Sequence, residues 1–125
     1  VVNLYVTVPA HHPGAHPAGY LSGSFRSLVW AIGHGALTLE IHATLGLALV
    51  IVAVGAAGHA ARSGHRTATA WTVLGGLMVI GAGFNGASFL DFADNVSSLI
   101  MALLALAAVA CYTAALTTVG TEPEG

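Results

Sequence analysis

Three histidines near the N-terminus have a spacing that suits metal binding. His11, His12 and His16 lie in a segment broken by prolines and glycines, Pro9–Ser24. Imidazole nitrogens bind zinc and copper, and the carboxylate of Glu40 would complete a mixed nitrogen and oxygen site. The sequence therefore allows a transition-metal site at these four side chains. The alternative is an exposed histidine-rich loop that binds no metal.

His34 and His42 could instead bind a b-type haem. Membrane haems of this type usually have two axial histidines on different helices. The segment His42–Gly46, with the sequence HATLG, resembles the haem-ligating helices of b-type membrane cytochromes over five residues. The second and third apolar segments described below contain no histidine. A second axial ligand would therefore come from a loop, from a further helix or from another subunit.

Glu40 and His42 carry the main polar groups of the first apolar segment. They are two residues apart, which places them about 200° apart on a helix, so they cannot face the same neighbour. Ionisable groups at membrane depth usually face protein or water. We call the loop that carries His11, His12 and His16 the histidine loop. We expect Glu40 or His42 to lie within hydrogen-bond or single-water reach of this loop or of the segment 85–95. Simple solvation in the headgroup layer is the alternative.

Further polar residues surround the turn between the second and third apolar segments. Asn85, Asp91 and Asp94 belong to this group. Asn85 is expected to hydrogen-bond across helices, and Asp94 or Asn95 is expected to cap the following helix. The inner parts of the apolar segments lack ionisable side chains. Any polar function is therefore predicted at one end of the helix bundle, and not at its centre.

The elements that position these residues are three long apolar segments, at residues 37–58, 68–90 and 96–119. Hydrophobic residues make up 56% of the 125 residues, and charged residues only 6%, against about 25% in soluble proteins. About 20 apolar residues span the hydrocarbon core as a helix. The predicted fold class is all-α integral membrane with three transmembrane helices. The net charge of −2 excludes a basic surface for nucleic acids.

The N-terminal region is predicted to contain a short interfacial helix. Residues 1–24 are predicted as a loop and residues 25–36 as the interfacial segment, with a break at Gly33 and Gly35. Val1–Val8 is apolar and could be the end of a fourth span whose beginning is missing. Residues 120–125 form an acidic tail, and the whole chain is predicted to be one membrane domain.

The basic residues predict the orientation of the chain. Two of the three arginines, Arg62 and Arg66, lie between the first two spans, and such a loop is normally cytoplasmic. The histidine loop and the turn at Asp91 would then lie outside. The composition favours a bacterial plasma membrane.

The sequence favours a protein that acts in an assembly and is not an enzyme. It contains no phosphate-binding loop, H-E-x-x-H, C-x-x-C or nucleophile elbow. Small residues recur at the spacing that lets membrane helices approach closely. The pairs are Ala82 with Gly86 and Gly83 with Ala87, and the third span has the row Ala107, Cys111 and Ala115.

The expected partners are the lipid bilayer and either other membrane subunits or further copies of this chain. One alternative function is metal or haem binding at the outer face. The other is a proton-coupled channel or transporter that uses Glu40 and Asn85.

Overall fold

The structure, a computed structural model, describes residues 8–120 and consists of four α-helices. In chain order they are α1 (Tyr20–His34), α2 (Leu37–Arg62), α3 (Arg66–Phe92) and α4 (Asn95–Gly120). Helices α2, α3 and α4 are long and apolar enough to cross a membrane. The predicted all-helical membrane fold with three spans is confirmed. The suggested fourth span and the acidic tail lie outside the described residues.

Each long helix extends slightly beyond its apolar segment. Helix α2 begins at Leu37, as predicted, but continues to Arg62 because polar residues at the membrane surface can remain helical. The turn to α3 passes through Gly64, which has a positive φ of 80°. Helix α3 ends where Ala93 adopts the left-handed conformation with φ of 53°. This stops the helix and turns the chain directly into α4.

Helix α1 begins earlier than the sequence predicted. It starts at Tyr20, five residues before the predicted boundary, and has 15 residues. The glycine at position 23 is helical and buried, and a side chain at this position would collide with Pro17. The break before α2 is confirmed, since α1 ends at His34 and Gly35 is extended with ψ of 165°. The interfacial location of this helix stays a prediction.

Helix α3 is the centre of the bundle, because it packs against each of the other three helices. Helix α1 packs against both α2 and α3 near the C-terminal end of α3. A small apolar core forms where these three helices meet, from Ala31, Leu39, Ala43 and Leu90. We call this end of the bundle the Asp91 end. The opposite end, at the α2–α3 connection, is the Arg66 end.

Small residues let α3 and α4 approach closely. A Cβ atom at Gly75 would lie 3.2 Å from the Cβ of Cys111, and one at Gly86 would lie 3.2 Å from the sulfur of Met101. Cys111 and Ala115 are buried as the small-residue row predicted. The buried alanine one turn before them is Ala108, and not the predicted Ala107, which is only half-buried.

Candidate functional site

A buried carboxylate at the Asp91 end is the strongest polar feature of the structure. Asp91 lies in the last turn of α3, and only 1% of its surface is exposed. The hydroxyl of Ser24 donates to Oδ2 at 2.8 Å, and the hydroxyl of Ser27 donates to Oδ1 at 2.7 Å. Each carboxylate oxygen therefore receives one hydrogen bond from α1.

The sequence of α1 explains how both serines reach the same carboxylate. Residues three or four apart share a helix face, and the buried face of α1 consists of Gly23, Ser27 and Ala31. These small side chains allow α1 to pack directly on α3. A buried carboxylate is costly unless it is hydrogen-bonded, and hydrogen bonds to charged groups contribute about 1.5–3 kcal/mol each. The serines thus offset the burial of Asp91 and fix α1 in place.

The histidine loop covers the end of α3. The backbone N–H of His16 donates to the carbonyl oxygen of Asp91 at 2.9 Å. The Nε2 atom of His12 lies 2.9 Å from the carbonyl oxygen of Leu90 and donates to it, because a carbonyl can only accept. The last four carbonyl groups of a helix lack partners within the helix. The loop supplies two of the missing donors.

Aromatic contacts hold the same loop. The His12 ring stacks on Trp30 of α1, with centroids 4.7 Å apart and planes inclined by 17°. The His16 ring meets the edge of Phe92 at 5.9 Å. Two of the three predicted metal-binding histidines therefore contact aromatic side chains of the bundle. We use the term Asp91 network for Asp91, Ser24, Ser27, His12 and His16.

Tyr20 adds a second link between α1 and α3. Its hydroxyl donates to the carbonyl oxygen of Phe84 at 3.0 Å and lies 2.8 Å from the hydroxyl of Ser88. Sequence reasoning missed Tyr20, Ser24 and Ser27. The available signal was the pair of serines at i, i+3 in a segment that could be helical.

Glu40 and His42 do not join this network. Both side chains are exposed. Within residues 8–120, neither side chain forms a hydrogen bond to the histidine loop or to the segment 85–95, so the direct contact expected for them is absent there. The hydrogen bonds of the histidine loop go instead to the carbonyl groups at the end of α3.

The predicted metal ligands are not gathered into a site. Within residues 8–120, no group of three or more histidine, cysteine, aspartate or glutamate side chains is placed to hold a metal ion. His11 and Glu40 are exposed, and the Nε2 atom of His12 is hydrogen-bonded to the carbonyl oxygen of Leu90. His34 and His42, the predicted haem ligands, are both exposed on neighbouring helices. Haem binding stays a prediction.

Asn85 was expected to hydrogen-bond across helices, but the structure shows a hydrogen bond within its own helix. Its Nδ2 atom donates to the carbonyl oxygen of Gly81 at 2.9 Å, one turn earlier in the same helix. The described hydrogen bond of this side chain therefore lies within α3. In the described part of the chain, no direct contact joins Asn85 to Glu40, the two residues suggested for a proton path.

Asp94 caps α4, as predicted. Its Oδ1 accepts from the backbone N–H of Val96 at 3.1 Å, and its Oδ2 lies 3.4 Å from the N–H of Ser97. The hydrogen bond from Val96 holds the pKa of this carboxyl below its usual range, although some burial opposes the shift. The charged form is therefore the form that stabilises the helix start.

We expect Asp94→Ala to lower the melting temperature of the purified protein by a few degrees at neutral pH, because two backbone N–H groups lose their acceptor. The pKa of Asp94 is lower in the folded state. Its contribution is therefore complete above the unfolded pKa and is lost as the pH falls through the folded pKa. Wild type and Asp94→Ala should converge in melting temperature in strong acid. A constant difference across the acidic range would contradict the cap.

Comparison of the chain with known protein families, curated proteins and solved structures gives no match.

Proposed function

We propose that this membrane protein is a non-catalytic subunit of an assembly, and that it associates through the face of α2 that points away from α3. The observation that carries the proposal is the packing of the glycines. Among the residues that the structure describes, a Cβ atom at Gly55 or Gly58 of α2 would meet nothing within 4 Å. In α3, by contrast, a Cβ at Gly75 or Gly86 would touch α4.

Open glycines in a membrane helix favour a partner. Glycine costs about 1 kcal/mol relative to alanine inside a helix. Contact with lipid does not offset this loss of helix stability, whereas the close approach of a second helix at such positions can. The glycines of α3 already serve this purpose within the chain. Those of α2 have the same chemistry without a partner among residues 8–120.

The exposed residues around these glycines form one surface. At 100° per residue they fall within a sector of about 80°, and all of them are exposed. Leu39, Ala43 and Ala53, the buried residues of α2, lie outside this sector. We call the surface the α2 outer face; it consists of Glu40, Thr44, Ala48, Gly55 and Gly58.

Glu40 gives the α2 outer face a polar group near one end. A carboxylate in the first turn of a membrane helix is normally paired or hydrated. A partner helix with a hydroxyl, amide or basic side chain at the same depth would satisfy it. Both an accessory subunit and a second copy of this chain fit this description.

The Asp91 network supports a structural role and not catalysis. Asp91 is buried, and both carboxylate oxygens already accept hydrogen bonds from α1. A substrate cannot reach the carboxylate without displacing α1. The network therefore orients α1 and the histidine loop on the bundle. We place the protein in a bacterial plasma membrane, with α1 at the interface and the Arg62–Arg66 connection on the cytoplasmic side.

The test is the double substitution Gly55→Ile/Gly58→Ile. Two branched side chains on the α2 outer face would keep a partner backbone away, and we expect association to weaken by at least about tenfold. The measurement is the native mass, and the identity of co-purifying chains, after extraction in a mild detergent.

Matched controls separate the surface from general effects of bulk. Ala105→Ile/Ala110→Ile adds the same side chains at exposed positions of α4 and should leave the complex intact. A wild-type chain that is a stable monomer would overturn the proposed assembly. An intact complex in Gly55→Ile/Gly58→Ile would overturn the proposed surface.

A further inference from the structure

A cleft lies between α1 and the histidine loop. Its volume is about 300 Å3. It combines cationic or titratable groups with apolar and aromatic walls, and none of the described lining residues is acidic. The lining residues are Pro13, Phe25, Arg26, Val29, Trp30 and His34.

The exposed face of α1 is strongly apolar beside this cleft. Leu21, Phe25 and Val29 are 72%, 67% and 54% exposed, and they recur every four residues along one face. Arg26 is exposed at the edge of that face. An apolar face bordered by a basic residue is typical of a helix that lies in the membrane interface. The apolar residues would then meet acyl chains, while Arg26 lies at headgroup depth.

We propose that this cleft binds the headgroup of an anionic phospholipid. A guanidinium group forms paired hydrogen bonds with a phosphate, which suits Arg26 to the phosphodiester. His34 offers a second donor, and Trp30 is a side chain that favours the headgroup layer. Phe25 and Val29 provide an apolar wall for the start of an acyl chain.

The occupant follows from the combination of charge and apolarity. A free anion would make no favourable apolar contact with the exposed side chains of Phe25 and Val29. A zwitterionic lipid would bring its own cation next to Arg26. The two other arginines, Arg62 and Arg66, lie at the Arg66 end of the bundle, on the far side of the spans from this cleft. They are therefore internal controls for unspecific attraction to anionic lipid.

The experiment follows Trp30 fluorescence in the full chain. Trp71→Phe leaves Trp30 as the single tryptophan, since the sequence has two. The protein in zwitterionic detergent micelles is titrated with brominated phosphatidylglycerol or with brominated phosphatidylcholine. We expect saturable quenching by phosphatidylglycerol at concentrations where phosphatidylcholine has little effect.

Arg26→Gln should weaken the phosphatidylglycerol response by about fivefold or more, the usual contribution of one basic residue at an anionic surface. Arg26→Lys keeps the charge but loses the paired hydrogen bonds, so it should retain only part of the response. Since Arg26 is exposed, the variants should fold, which circular dichroism and thermal melting check directly.

Three outcomes would overturn the lipid site. The first is equal quenching by both lipids. The second is an equal loss in Arg62→Gln, which would mean unspecific electrostatic attraction. The third is full competition by inorganic phosphate, which would mean that the cleft recognises the anion without the lipid. A loss confined to Arg26→Gln, with no competition by phosphate, supports the proposal.

Discussion

Asp91→Ala is expected to destabilise the folded protein by about 3 kcal/mol and to release α1 from the bundle. The substitution removes two hydrogen bonds to a carboxylate, each worth about 1.5–3 kcal/mol. It also leaves the hydroxyls of Ser24 and Ser27 without their acceptor, and Ser27 has no exposed surface. The effect should be largest at the Asp91 end, because among the described helices α1 packs against α2 and α3 and not against α4.

Limited proteolysis measures this release. The chain has no lysine, and Arg26 is the single arginine of α1, so tryptic cleavage after Arg26 reports on that helix alone. Cleavage should be slow in the wild type and much faster in Asp91→Ala. Trp30 emission should also shift to longer wavelength as its contact with His12 is lost.

Related variants grade the effect. Asp91→Asn keeps the size and one acceptor oxygen, so its effect should be smaller than that of Asp91→Ala. Ser27→Ala should cost more than Ser24→Ala, since Ser27 is fully buried and Ser24 is not. Asp94→Asn changes an exposed aspartate three residues away and should leave cleavage after Arg26 unchanged. If Asp91→Ala is cleaved after Arg26 at the same rate as the wild type, the carboxylate does not hold α1.

The three spans were predictable because the membrane imposes a simple rule on them. A helix must present about 20 apolar residues to the hydrocarbon, and hydropathy along the chain reports this directly. The break after His34 was also readable, since two glycines flank it. The start of α1 was not readable, because Gly23 suggested an irregular loop, whereas in the structure it is a buried helical residue that lies against Pro17.

The location of the candidate site could be predicted from the sequence, but the residues that form it could not. Asp91 and the histidine loop were expected at one end of the bundle, and the structure joins them there. Glu40 and His42 seemed stronger candidates because they lie within a span. The serines that bond Asp91 were overlooked, since serine is common in loops and its role here depends on helical phase. Which side chain meets which carboxylate depends on tertiary contacts that hydropathy does not encode.

The path of the loop depends on unusual backbone conformations. Gly14 has φ of 102° and His16 has φ of 50°. These turns bring the His16 N–H to Asp91 and the His12 ring to Trp30. Three prolines and three glycines in Pro9–Ser24 show that such a loop is irregular, but they do not give its course. The loop nevertheless covers the backbone end of α3, where it bonds the carbonyl oxygens of Leu90 and Asp91.

Gly14→Ala is therefore expected to push the histidine loop away from α1 at the Asp91 end. A Cβ at this position would collide with Ser27 Oγ and would lie 2.7 Å from both the carbonyl oxygen of Gly23 and the backbone nitrogen of Ser27. The positive φ adds strain of about 1–3 kcal/mol for a residue with a side chain. We expect a total loss of roughly 2–4 kcal/mol, with faster tryptic cleavage after Arg26.

Gly33→Ala is the matched control for that substitution, because a Cβ there meets nothing within 4 Å and the residue is helical. It should be neutral or slightly stabilising. The double variant Gly14→Ala/Asp91→Ala then tests whether both changes act on one contact. Since Ser27 is both the obstacle to the Gly14 methyl group and the donor to Asp91, the two losses should be clearly less than additive. Full additivity would mean that the loop and the carboxylate hold α1 independently, and that Asp91 does not couple them.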